Sequence, residues 1–103
     1  MKDRAHDEVM ADMFRDDPDY AVQLLNSILE DDDQGEFLMT LRQMTKAFGG
    51  VQNVADAAHL SMTQLYRTLS TDGNPVLGNL SAILKAMGLR LVVHSVQVRH
   101  THA

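Results

Sequence analysis

No cysteine occurs in the chain, which removes disulfides, thiolate metal sites and a thiol nucleophile together. There is no apolar run of about 18 residues, the length needed to cross a bilayer as a helix. The first residues, "MKDRAHDEVMADMF", lack the apolar core of a secretory signal. A cytoplasmic protein is the simplest expectation. Catalytic signatures are missing as well. No Gly-rich phosphate loop, no G-x-S-x-G and no grouping of nucleophile, base and orienting residue is present. The acidic run "EDDD" at 30–33 lacks the alternating spacing of a calcium loop. His59, His94, His100 and His102 have no surrounding ligand set of the kind a tetrahedral zinc site needs. The expectation is a protein that is not an enzyme and holds no cofactor or metal.

Carboxylates are also scarce, but only in part of the chain. Residues 1–36 carry twelve acidic and three basic groups, a net of −9. Residues 37–103 carry two acidic groups, Asp56 and Asp72, against six basic ones, a net of +4. Acidic surface favours basic proteins and repels phosphate; the remainder tolerates polyanions. Two different partners would suit such a chain. The plainer alternative is that the acids only solvate the first helices.

At 103 residues the chain has room for one domain with a modest core. It divides into an acidic helical segment at 1–36, a core at 37–88, and a terminal segment at 89–103. Residues 4–15 read as a weak amphipathic helix carrying Val9, Met10, Met13 and Phe14. Asp17 and Pro18 open a second helix over 18–29, with Ala21, Leu24, Leu25 and Ile28 on one face. Asp33 and Glu36 have capping-box spacing and start a third, with Phe37, Leu41, Met44 and Phe48 inward, stopped by Gly49-Gly50. The methionines at helical spacing are read as core filler. Short helices over 51–58 and 61–69 follow. "STDGNP" is a loop, and a further helix over 77–87 ends at Gly88, with Leu80, Ile83, Leu84 and Met87 inward. "LRLVVHSVQV", 89–98, is rich in β-branched residues and reads as a strand. It has no second strand to pair with, so pairing with another copy across a twofold axis is the economical solution. Leu89, Leu91, Val92, Val93 and Val96 would then form the dimer contact. The alternative is a short unstructured tail.

The stretch "NVADAAHLSMTQLYRTLS", 53–70, holds one acid, Asp56. Ser61 and Gln64 form an S-x-x-Q capping box, with Leu60 and Leu65 placed for the hydrophobic staple. Leu60, Leu65 and Leu69 point inward with Val54, Ala55 and Ala58. This is the pattern of a helix-turn-helix, whose first helix supports the second. The outward face then holds Met62, Thr63, Gln64, Tyr66 and Arg67. Glutamine can pair with adenine edges, arginine with guanine edges or phosphates, and threonine or methionine with the thymine methyl. Gln52, Asn53 and the Ser61 cap lie where polar groups touch the DNA backbone. The competing reading is an ordinary helical hairpin with a polar outer face.

Beyond this pattern, "DPDYAVQLLNSILED" followed by "FGGVQNVADAAHLSMTQLYRTLSTDGNPVLGNLSAILKAMGLRLVV" resembles the addiction-module antidote proteins, HigA-type antitoxins with a lambda-repressor-like (XRE-type) helix-turn-helix. The likeness covers about residues 15–95 and is most specific at "LSMTQLYRTLS", "GNP" and "LKAMGLRL". It implies a dimer that binds double-stranded operator DNA and represses its own operon. It also implies a partner, a small basic RelE/HigB-like toxin that cuts RNA. It places base readout on Met62, Thr63, Tyr66 and Arg67, with Gln52 and Asn53 near phosphate. Two positions depart from the family pattern. His59 stands where glycine is usual, at a turn position tending to positive φ. Met62 stands where arginine is frequent, removing one charge per half-site. Gln64, if it closes the capping box, is less available to a base.

The expected architecture is therefore an all-α domain of five to six helices with a terminal strand pairing across a homodimer. The expected function is an antitoxin and autorepressor with no membrane association, the toxin engaging the acidic segment 1–36. Two alternatives stand beside it: a helix-turn-helix repressor without a toxin partner, and a protein-interaction module that has lost DNA binding.

Overall fold

Asp17 accepts a hydrogen bond from the Tyr20 N–H at 3.2 Å, and Pro18 takes the first helical position, where its missing donor is not needed. Asp33 does the same for the Glu36 N–H at 3.1 Å. These caps separate the first three of six helices: α1 (Lys2–Asp16), α2 (Pro18–Glu30), α3 (Gln34–Ala47), α4 (Val51–Ala57), α5 (Met62–Thr68) and α6 (Leu77–Ala86). The structure, a computed structural model, describes residues 2–96, with side chains from His6 onward. Residues 97 and 98 of the expected strand and the histidines at 100 and 102 lie outside the described residues.

Three helices end in the same way. In α6 the Leu89 N–H donates to the Leu84 carbonyl at 2.8 Å and the Gly88 N–H to the Lys85 carbonyl at 2.9 Å. Gly88 sits at φ +81. This is a Schellman stop. In α2 the same pair of bonds runs from Asp33 to Ile28 and from Asp32 to Leu29, with Asp32 at φ +57. In α4 it runs from Leu60 to Ala55 and from His59 to Asp56, with His59 at φ +60. The left-handed residue is thus glycine once, and aspartate and histidine in the other two. The expected positive φ at His59 is present.

α3 is the central helix. Phe37, Leu38, Leu41 and Met44 are buried along it, and Phe14, Ala21, Leu25, Val54, Leu65, Leu69 and Ile83 from the other helices complete one core. Leu80 and Met87, expected inward, are half-buried against that core.

Only part of the apolar set carried by α1 faces inward. Phe14 is buried and Met10 half-buried, but Val9 and Met13 are 56% and 43% exposed. The buried stripe is Asp7, Ala11 and Phe14. A carboxylate in that stripe hid it from a hydrophobicity pattern. Gln43 Nε2 donates to Asp7 Oδ1 at 3.0 Å, and Arg42 Nη2 and Lys46 Nζ lie 3.4 and 3.8 Å from Oδ2. The buried charge is therefore both paired and hydrogen-bonded. Arg15 Nη2 adds a bond to the Lys46 carbonyl at 3.0 Å.

Among the described residues there is no strand. Residues 90–96 make no backbone hydrogen bond to any other described part of the chain. A ladder needs a neighbour, and this single chain supplies none. Leu89 is half-buried against the core, whereas Leu91, Val92, Val93 and Val96 are exposed. Together with Val22, Leu25 and Leu29 of α2 this segment walls a groove of about 1010 Å³.

Candidate nucleic-acid interface

α4 and α5 are short, seven residues each, so neither would hold its shape in water alone. Packing and caps hold them. Val54, Ala55 and Ala58 are buried on the first, Leu65 and Leu69 on and just past the second. Ala55 is fully buried, on the inward side expected from the sequence. The turn between the helices is the α4 Schellman stop at His59, after which Ser61 caps α5. Gln64 N–H donates to Ser61 Oγ at 3.0 Å, and Ser61 N–H donates to Gln64 Oε1 at 2.9 Å. Both halves of the expected capping box are made. The order, lengths and packing fit a helix-turn-helix.

Fixing α5 in this way leaves one side wet. Thr63, Tyr66 and Arg67 are exposed, Tyr66 at 46%. Among the described residues none of their side chains makes a hydrogen bond or ion pair. Gln64 is also exposed, but its carbonyl oxygen is committed to the cap. Met62 is half-buried against the core, so only part of it faces out. Gln52 and Asn53 are exposed at the start of α4 and engaged locally. Gln52 Nε2 donates to Asp56 Oδ1 at 3.1 Å, and Asn53 Nδ2 to the Gly49 carbonyl at 2.7 Å. The second bond ties α4 back to the double glycine that ends α3. The structure thus brings the eight expected residues onto one two-helix unit and sorts them. Thr63, Tyr66 and Arg67 are open, Ser61 and Gln64 hold the helix start, Gln52 and Asn53 brace α4, and Met62 is divided between core and surface.

Asn53 as a clasp on the α3–α4 junction was not legible in the sequence, since nothing in its spacing names a carbonyl acceptor. The Asp7 cluster had a faint signal: Asp7 lies four and seven positions before Ala11 and Phe14, and Arg42 and Lys46 share a face of α3. Among the described residues no group of three or more His, Asp or Glu side chains could hold a metal ion. No described helix is long and apolar enough to cross a membrane.

These features define a small all-helical protein with a capped, carboxylate-free helical face. Residues 7–95 match the family described as probable addiction module antidote protein, and the chain belongs to that family. Such a protein has a cognate toxin as partner. No curated protein and no solved structure matches the chain significantly.

Proposed function

We propose that this antidote is of the HigA type, a cytoplasmic antitoxin without catalytic activity that also represses its own operon. In this reading α4 and α5 are a lambda-repressor-like helix-turn-helix, and α5 enters the major groove. The observation that carries the reading is the open face of α5. Thr63, Tyr66 and Arg67 are exposed, without partners in the described chain, on a helix whose start is fixed by two reciprocal bonds. Arg67 can take a guanine edge or a phosphate and Thr63 the thymine methyl. Gln52 and Asn53 serve as a brace near the backbone, and Gln64 as a cap first.

Operator reading by such a unit requires two copies, with half-site centres about one helical turn or a multiple apart. The unpaired segment 90–96 supports a dimer. Its β-branched edge can add to the same edge of a second copy, which would turn it into the strand expected from the sequence. The toxin in this reading is a basic RelE/HigB-like ribonuclease held on the acidic segment 1–36. Co-expression with the protein encoded beside this chain's gene tests the antitoxin role. Growth inhibited by that protein should be restored by this chain, and the two should co-purify. Growth that stays inhibited would reject it.

A further inference from the structure

The open face of α5 and the groove beside residues 89–96 are taken by operator and second copy in the proposed function. A third surface remains, the outer side of α1. This helix packs on α3 and α2 alone among its main neighbours. Its inner stripe is bolted by Phe14 in the core and by Asp7 to Gln43, Arg42 and Lys46. The outer stripe is therefore presented rigidly. It carries Val9 and Met13, one turn apart and 56% and 43% exposed. Glu8, Asp12 and Asp16 are exposed along the adjoining row. Among the described side chains of α1, the arginine beside this row, Arg15, is spent on Asp12 at 2.7 Å and on the Lys46 carbonyl at 3.0 Å. Two apolar anchors at i and i+4, edged by carboxylates, are the chemistry of a helix laid in an apolar groove with a basic rim.

We propose that the outer face of α1 is the docking surface for the toxin, and that the toxin meets it with an apolar cleft bordered by lysine or arginine. The proposal rests on the antitoxin reading and narrows it from the whole acidic segment to one helix face. Val9 and Met13 supply the contact that sets residence time. Glu8 and Asp16 steer the encounter and bias it against acidic proteins, Asp12 being paired with Arg15. Placing the toxin here leaves α5 free, so one chain can hold toxin and operator together.

The test uses the full chain and the purified product of the neighbouring gene. Affinity and rates are measured for wild type, V9Q/M13Q and E8K/D16K, alongside operator binding, mass and thermal midpoint for each. V9Q/M13Q should weaken toxin binding about thirtyfold, mostly through faster dissociation. E8K/D16K should slow association about tenfold at low salt, with the difference shrinking as salt rises. Both should keep operator binding, dimer mass and thermal midpoint. Wild-type toxin affinity in both variants would overturn the proposal, as would loss of dimer mass in place of toxin binding. Toxin binding abolished by Val93→Lys but untouched by the α1 variants would overturn it too. Should V9Q/M13Q misfold, the charge variant decides alone. A wild-type chain that does not bind the neighbouring product at all would instead refute the antitoxin reading underneath.

Discussion

Gln43 donates a hydrogen bond to Asp7 at 3.0 Å across 36 positions of sequence, and the aspartate side chain it holds is 10% exposed. This contact, with Arg42 and Lys46 beside the other oxygen, is the polar joint between α1 and α3. Its two cations keep part of their hydration, so the buried amide–carboxylate bond matters more than the ion pairs. Asp7→Ala leaves the Gln43 amide without its acceptor and should lower stability by about 1–3 kcal/mol. Asp7→Asn, which can still accept from Gln43, should lower it less. Urea unfolding midpoints check both, and equal stability of Asp7→Ala and wild type would contradict the assignment.

His59 holds φ +60 at the end of α4, in the position where a Schellman stop favours glycine. The β-carbon of a left-handed residue is strained by about 1 kcal/mol. His59→Gly relieves that strain but gives back roughly 0.5–1 kcal/mol through glycine's greater freedom when unfolded, so it should leave stability unchanged or raise it by a few tenths of a kcal/mol. Thermal midpoints measure it. A large drop on substitution would mean that the imidazole makes a contact worth more than the strain.

Much of the fold was written in local chemistry. Asp17-Pro18, Asp33, Gly49-Gly50, the Ser61/Gln64 box and Gly88 each act within one turn of helix, and each boundary fell within a residue or two of where those signals put it. The inner stripe of α1 was not legible in that way. Asp7 is buried only because residues 35 to 39 positions away supply its partners, and a hydrophobicity pattern reads a carboxylate as solvent-facing. The apolar residues of this helix, Val9, Met10, Met13 and Phe14, therefore did not by themselves mark its buried side. Residues 89–96 show a different limit, because β-branched composition describes what the backbone can do and not which chain completes the ladder. At the interface, spacing placed the eight residues on one unit. It could not tell that Asn53 would turn to the Gly49 carbonyl or that Met62 would be half claimed by the core.

Ser61→Ala removes the acceptor for the Gln64 N–H at the start of a seven-residue helix. The loss should be about 1 kcal/mol in overall stability. Operator affinity should fall as well, since the first turn of α5 carries Thr63. Hydrogen exchange at the Gln64 amide would report the fraying directly. Unchanged protection there would contradict the role given to the cap.

Truncation after Leu89 keeps the residue that packs on the core and removes the unpaired segment. The shortened chain should remain helical by circular dichroism but sediment as a monomer, and its operator binding should weaken sharply. Dimer content equal to that of the full chain would remove the strand-pairing proposal.

The central claim is that the exposed side of α5 meets duplex DNA. It is tested most directly by operator binding as a function of salt for wild type, Arg67→Ala and Arg67→Glu. Wild type should show a steep fall of log affinity with log salt. Arg67→Ala should bind more weakly and, where Arg67 meets phosphate, with a slope smaller by about one per contact. Arg67→Glu should abolish the specific complex while leaving the thermal midpoint in place. Wild-type affinity and slope in Arg67→Glu would contradict the account.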